Sequence, residues 1–334
     1  MDKLWYKEKY MTNNQAKKLY ETGIELLMCG KSQEAINYLR EAVDADPFHI
    51  EAQLELGYLL GTMENYEEAL NSFNNSLKID KTFPGFFGKG ICLFFLEDYE
   101  KSLDAFMDAQ EIGENEDLWY YLGNIHLIYG NCEGAISCFE TALSIDEDFI
   151  EAWNDCGVAY SILEDDENAL ICYKEAVSIE PGYKSALYNM GATLVDMGRY
   201  DESLKYLDRT LEIEPDHFKA LFYKGHALYF MEKEEEAAEY FIKALNVDRD
   251  QEELWNYLGY VQFSIGQNYE AIESLNQAII LNKDFDIAYI NLGNVYIDLG
   301  KYSHALNCFE KAFEISPDNA EVLREIEDLK VKLS

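Results

Sequence analysis

The residues of this chain best suited to metal or nucleophile chemistry are its five histidines and seven cysteines. His49, His126, His217, His226 and His304 form no His-x-x-x-His pair of the kind that holds zinc on a helix. Cys29, Cys92, Cys132, Cys138, Cys156, Cys172 and Cys308 are odd in number, contain no Cys-x-x-Cys spacing and mostly sit among apolar residues at helical positions. Buried, reduced thiols in a reducing compartment are therefore expected, rather than disulfides or ligands. General acid and base work needs carboxylates held in opposed environments. The acidic runs Asp165-Asp166 and Glu234-Glu235-Glu236 fall instead in turns or on outer faces, where a solvated run is the ordinary reading. The glycines lie inside or at the ends of helical patterns, so no phosphate-cradling loop is present. This reading expects no enzyme, no cofactor and no metal.

What must be positioned is then a surface, and the elements that position it are written as a repeat. Glycine recurs at Gly23, Gly57, Gly90, Gly123, Gly157, Gly191, Gly225, Gly259 and Gly293, at spacings of 33 or 34 residues. Twelve residues after each glycine comes a small residue (Ala35, Ala69, Ser102, Ala135, Ala169, Ser203, Ala237, Ala271, Ala305), and another follows seven later. Three ladders in register mean a repeat array that grows along one axis. Apolar residues spaced by three and four on both sides of a short break describe two amphipathic helices per copy. Glycine in mid-helix costs about 1 kcal/mol against alanine, so its recurrence needs a packing reason, and close approach of paired helices supplies one. The first break holds Gly30, Gly130, Gly198, Gly266 or Gly300, and the second Pro47, Pro181, Pro215 or Pro317. The copy around Pro84 departs from the rule, with Gly85 and Gly88 beside Gly90 and five phenylalanines close by, so altered stacking is expected there.

The 27 basic and 64 acidic residues leave a formal charge of −37, spread through every copy. Nucleic acid and anionic membrane are polyanions and are excluded as partners on that ground. No apolar run reaches the roughly 18 residues of a membrane span, and the first 15 residues lack the apolar middle of a secretion signal. A cytoplasmic protein is expected.

Trp153-x-x-Cys156-Gly157-x-x-Tyr160, followed by Ala169-x-x-x-Tyr173 and Pro181, resembles the tetratricopeptide repeat. The resemblance implies an all-α, right-handed superhelical α-solenoid of about nine helix-turn-helix repeats. Their expected bounds are 16–49, 50–82, 83–115, 116–149, 150–183, 184–217, 218–251, 252–285 and 286–319. Residues 1–15 would form an N-terminal extension or cap around Leu4, Trp5 and Tyr6. Residues 320–334 would form a capping helix, with Val322, Leu323, Ile326, Leu329 and Leu333 on one face.

The family's geometry implies that first helices line a concave groove. Carried onto this chain, it gives Tyr120, Tyr121, Asn124, Asn154, Asp155, Tyr188, Asn189, Phe222, Tyr223, His226, Asn256, Tyr257, Tyr260, Asn291 and Asn294 as peptide-binding residues, with Tyr20, Glu55, Tyr58 and Phe87 in the earlier copies. Asparagine can hold a peptide backbone without reading its sequence, and tyrosine adds contact area at little entropic cost. Asn189 and Asn291 stand where the similar repeats of O-linked N-acetylglucosamine transferase carry an asparagine, without that enzyme's catalytic region. The family's carboxylate clamp needs lysine three residues before a repeat glycine, and none stands there. Acids outnumber bases along the groove edge, where Glu21, Glu51, Glu55, Asp117, Glu151, Asp155, Asp196, Glu253 and Asp298 oppose Lys17 and Lys219. The resulting expectation is a scaffold for an extended, basic or neutral peptide of a partner protein. The alternative is an assembly or self-oligomerisation element acting through its helical ends.

Overall fold

A computed structural model of the chain describes residues 2–334, with side chains from Asn14 onward, and Leu4, Trp5 and Tyr6 of the expected cap lie outside the described side chains. The described residues form nineteen α-helices and no strand. They fall into two compact units, residues 1–163 and 164–334. The first holds α1 (Asp2–Met28), α2 (Ser32–Ala45), α3 (Ile50–Thr62), α4 (Tyr66–Ile79), α5 (Phe83–Phe95), α6 (Tyr99–Gln110), α7 (Glu116–Ile128), α8 (Cys132–Ile145) and α9 (Ile150–Ile162). The second holds α10 (Asp166–Ile179), α11 (Lys184–Asp196), α12 (Tyr200–Ile213), α13 (Phe218–Phe230), α14 (Glu234–Val247), α15 (Glu252–Ser264), α16 (Asn268–Leu281), α17 (Asp286–Asp298), α18 (Tyr302–Ile315) and α19 (Ala320–Leu333). Within each unit successive helices pack as helix-turn-helix pairs, and each pair also touches the first helix of the next.

The glycine ladder is explained by the residue sixteen positions on. A Cβ built on Gly23, Gly57, Gly90, Gly123, Gly191, Gly225, Gly259 or Gly293 would stand 2.5 to 3.1 Å from the side chain of Leu39, Phe73, Phe106, Phe139, Leu207, Phe241, Leu275 or Phe309 respectively. That side chain of the second helix lies flat on the first, and only glycine leaves it room. The small ladder is buried in the same contact, with Ala35, Ala69, Ala135, Ala237, Ala271 and Ala305 at 0 % exposure. Where it is polar it is hydrogen-bonded: Ser102 donates across the pair to the Gly90 carbonyl of α5 at 2.8 Å, and Ser203 donates within its own helix to that of Tyr200 at 2.7 Å.

The breaks use more chemistry than glycine and proline. Gly30, Gly130, Gly198, Gly266 and Gly300 take φ of 69° to 79°, as a left-handed helix end requires. Glu64, Glu97, Glu164 and Glu232 take the same role at φ of 59° to 61°. The hydrogen bonds are alike: Gly30 N–H donates to Leu27 O and Lys31 N–H to Leu26 O, both at 2.9 Å, while Glu64 N–H donates to Gly61 O at 2.9 Å and Asn65 N–H to Leu60 O at 3.0 Å. At the second break Asp46, Asp146, Asp248 and Asn282 are extended, and each side chain accepts the N–H two residues on at 3.0 to 3.1 Å. This Asx turn closes the helix with or without proline.

The irregular copy forms a regular α5, capped by Thr82 and carrying Pro84 in its first turn. Its extra glycines seat side chains of α4, since a Cβ on Gly88 would fall 2.3 Å from the Phe73 ring and one on Gly85 would fall 2.8 Å from Leu77. At the other end of the chain, Val322, Ile326 and Leu329 of α19 are buried on Phe309 and Ala312, while Leu323 and Leu333 stay exposed.

Candidate functional site

The candidate residues lie on the first helices of the pairs, and their main partners are one another. The position three before a repeat glycine meets the position two before the next. In the first unit Tyr120 O–H donates to Asp155 Oδ2 at 2.9 Å, and Phe87 meets Tyr121 with ring centroids 6.3 Å apart. In the second, Tyr188 meets Tyr223 and Phe222 meets Tyr257, each at 6.0 Å, and Asn291 Nδ2 donates to Asn256 Oδ1 at 2.9 Å. These contacts form rungs between neighbouring first helices. One rung lapses, because its residues are Leu54 and Gly88.

The structure sorts the predicted residues by access. Tyr257, Tyr260 and Asn294 are exposed, whereas Tyr120, Tyr121, Asn124, Asp155, Tyr188, Asn189, Phe222, Tyr223, His226 and Asn291 are half-buried. Asn154 and Asn256 are buried, at 6 % and 7 % exposure. Asn154 donates to Asp155 Oδ1 at 2.9 Å, so two neighbours hold that carboxylate. Asn124 donates to the Tyr120 carbonyl at 3.1 Å, within its own helix. His226 lies in a ring cluster with Phe222, Phe230 and Tyr257 at centroid distances of 4.9 to 5.3 Å. Burial lowers its pKa, and its buried Nε2 has no hydrogen-bond partner among the described residues. A neutral imidazole therefore sits in an aromatic setting.

Two other histidines are helix caps, which sequence spacing did not suggest. His49 Nδ1 accepts the Ala52 N–H at 3.3 Å, and His217 Nδ1 accepts that of Ala220 at 3.1 Å. Burial lowers the His217 pKa, as an acceptor nitrogen requires.

The electrostatics of these faces are those of uncompensated acids. Burial pushes up the carboxyls of Asp117, Asp155 and Asp196. Neighbouring acids add to the effect at all three, and at Asp155 the bonds from Tyr120 and Asn154 oppose it. None of the three has a Lys or Arg partner among the described residues. Sequence reasoning notes Gly88 and Phe95 only as part of an irregular copy, and it misses Gly61, a glycine off the ladder, with the rings of Tyr66, Tyr229 and Phe230 beside it or its counterparts. Their position off the repeat pattern was the signal that could have found them.

The chain belongs to the tetratricopeptide repeat family: models of that repeat match residues 20–85, 150–183, 184–250 and 287–319, together more than half of its length. Repeats of this family form scaffolds for protein–protein interaction. It is 29% identical over 106 residues to the TPR repeat-containing protein MJ0940 of Methanocaldococcus jannaschii, covering 30% of this chain and 33% of that protein. It is 26% identical over 124 residues to the general transcriptional corepressor trfA of Dictyostelium discoideum, covering 36% of this chain and 9% of that protein. The chain thus spans a third or less of the length of these relatives. Among solved structures, PilF of Pseudomonas aeruginosa matches with a TM-score of 0.55 at 19% identity, covering 65% of this chain and 97% of that one. YrrB, a TPR protein with an unusual peptide-binding site, matches with a TM-score of 0.51 at 20% identity, covering 56% of this chain and 96% of that one. At these identities the likeness is one of fold. No described helix is long and apolar enough to cross a membrane.

Proposed function

We propose that the first-helix faces hold an extended, basic or neutral segment of a partner protein. The observation that carries this reading is a set of acids without a cation: Asp117 and Asp155 are half-buried and Asp196 is exposed, all three carboxyls are pushed up by partial desolvation, and none has a cation beside it among the described residues. A lysine or arginine arriving from a partner would supply the missing charge. Tyr188, Tyr257 and Tyr260 offer flat contact area, and Asn291, whose N–H goes to Asn256, keeps carbonyl lone pairs for a peptide N–H. The particular likeness to the repeats of O-linked N-acetylglucosamine transferase rests on Asn189 and Asn291 and belongs to this same reading. A reducing, cytoplasmic setting is supported by six buried cysteines.

The test is fluorescence anisotropy with labelled peptides of alternating lysine and glycine, against the same peptides with glutamate. The lysine peptide is expected to bind, to weaken about tenfold or more between 50 and 200 mM salt as a multiply charged contact does, and to weaken again when Asp155 and Asp196 are changed to asparagine. Acid titration adds a signed check. A carboxyl with a raised folded pKa takes up its proton more readily folded than unfolded, so its contribution to stability improves as pH falls from 7 through the raised range. A cationic ligand prefers the ionised form, so its binding declines over the same descent. Equal binding of lysine and glutamate peptides would sink the reading.

A second reading, self-association through a helical end, is favoured by Leu323, Val331 and Leu333, which are 41 to 74 % exposed on α19. Light scattering decides it, since a monomer at all concentrations removes it.

A further inference from the structure

Where the rung lapses between α3 and α5, the first-helix face opens into a cavity of about 320 Å³. Two glycines make it, for different reasons. Gly88 is accounted for by packing, because the Phe73 ring occupies the place of its Cβ. Gly61 has no such account. It lies within α3 at a helical φ, and a Cβ built on it meets no atom within 4 Å. Glycine is disfavoured in a helix against any ordinary residue, so neither packing nor backbone geometry asks for it here. At the same place in other copies, four after the repeat glycine, stand Phe94, Val195, Tyr229, Phe263 and Ile297. What the absent side chain leaves is the space of the cavity.

The walls are set before anything enters. The Tyr66 and Phe95 rings stack at 4.9 Å with planes 9° apart. The Tyr58 ring stands edge-on to Phe73 at 5.0 Å, and its hydroxyl donates to the Pro84 carbonyl at 3.0 Å. Cys92 adds a buried, apolar wall, its thiol pushed up to about 12 by burial and so un-ionised. Among the described residues the only charged one lining the cavity is Glu64, with Glu55 near enough to act on Tyr58. An apolar hollow with fixed aromatic walls and acids beside it suits an apolar group next to a cation.

We propose that this cavity is an anchor pocket that takes one large apolar side chain, phenylalanine or leucine, from a partner segment in which lysine or arginine flanks that residue. The proposal deepens the peptide-holding reading above and rests on it.

The test compares two labelled peptides on a lysine-glycine background, one with a central phenylalanine and one with alanine there, against the wild-type chain, Gly61→Ala and Gly61→Phe. The open space at Gly61 means that both variants are expected to keep the wild-type melting temperature or exceed it, and circular dichroism confirms the fold. Wild type and Gly61→Ala are expected to prefer the phenylalanine peptide by about tenfold or more, as burial of a large apolar side chain implies. Gly61→Phe is expected to lose that preference while still binding the alanine peptide. Equal affinity of wild type for both peptides overturns the anchor pocket and leaves the peptide-holding reading standing. A preference that survives in Gly61→Phe also overturns it, because the apolar contact is then elsewhere. No binding of either peptide overturns the wider reading and the pocket with it. Self-association of the wild-type chain that Gly61→Phe abolishes assigns the pocket to a second copy and overturns the peptide assignment.

Discussion

Between α3 and α5 the first-helix face is hollow, whereas between α13 and α15 the equivalent positions are packed with rings. Underneath, the two places are built alike. Phe73 lies on Gly57 in one and Phe241 on Gly225 in the other, and a histidine caps each first helix, His49 for α3 and His217 for α13. Two of the letters at which the surfaces differ mark the contrast. Gly61 and Gly88 stand where the second place has Tyr229 and Tyr257, which meet Tyr260 at 6.0 Å and His226 at 4.9 Å respectively. Residues that join paired helices are held to type by contact. Those on the open side of the first helix are free to vary, and recognition belongs there.

The shared foundation breaks first. Phe241→Ala is expected to cost about 3 to 5 kcal/mol in urea unfolding, as loss of a buried aromatic does. Phe73→Ala should cost at least as much, because its ring covers Gly88 as well as Gly57. A markedly smaller cost at Phe73 would mean that the hollow region is loosely packed, contrary to the contacts described.

The difference between the places is sharpened by one substitution made in both. Gly225→Leu drives a side chain into Phe241, 2.5 Å from the site of its Cβ, and is expected to destabilise by about 1 to 3 kcal/mol. Gly61→Leu enters open space and replaces a helical glycine, so it should stabilise by up to about 1 kcal/mol. Thermal melts of the pair check the sign, and like-signed shifts would erase the distinction between ladder and off-ladder glycines.

The smallest expected effect concerns the caps. His217→Ala should cost about 1 kcal/mol at pH 8, and His217→Asn, which keeps an acceptor, much less. The folded pKa of His217 lies below its ordinary value of 6.5. The stability it contributes is therefore complete above that value and is lost as pH falls from 6.5 through the lowered folded pKa. His217→Asn is expected to remove that acid-side loss, as stability measured at pH 8 and pH 5 would reveal.

Much of the fold could be read along the chain because a repeat writes its packing rules many times over. Leu39, Phe73, Phe106, Phe139, Leu207, Phe241, Leu275 and Phe309 form a further ladder sixteen residues after the glycines, and its bulk explains theirs. Four first breaks were less legible, since Glu64, Glu97, Glu164 and Glu232 adopt a conformation usually given to glycine. The site was legible only in part. Tyrosine and asparagine could be assigned to first-helix faces by period. That Asn154 and Asn256 are buried, and that Tyr120 reaches Asp155 and Asn291 reaches Asn256 across 35 residues, depends on how neighbouring pairs stack.

Gly61 and Gly88 mark the same boundary most clearly. As letters they are two glycines off the ladder, and nothing in their spacing separates them. In the folded chain a ring fills the space beside Gly88 and nothing fills that beside Gly61. The sequence by itself determined the helix pairs, their period and the small residues at their contacts, because helical periodicity and close approach act between residues near in the chain. Which rungs join, which carboxyls lack a cation and where the face is hollow were decided by tertiary structure, because each depends on atoms brought together from different pairs.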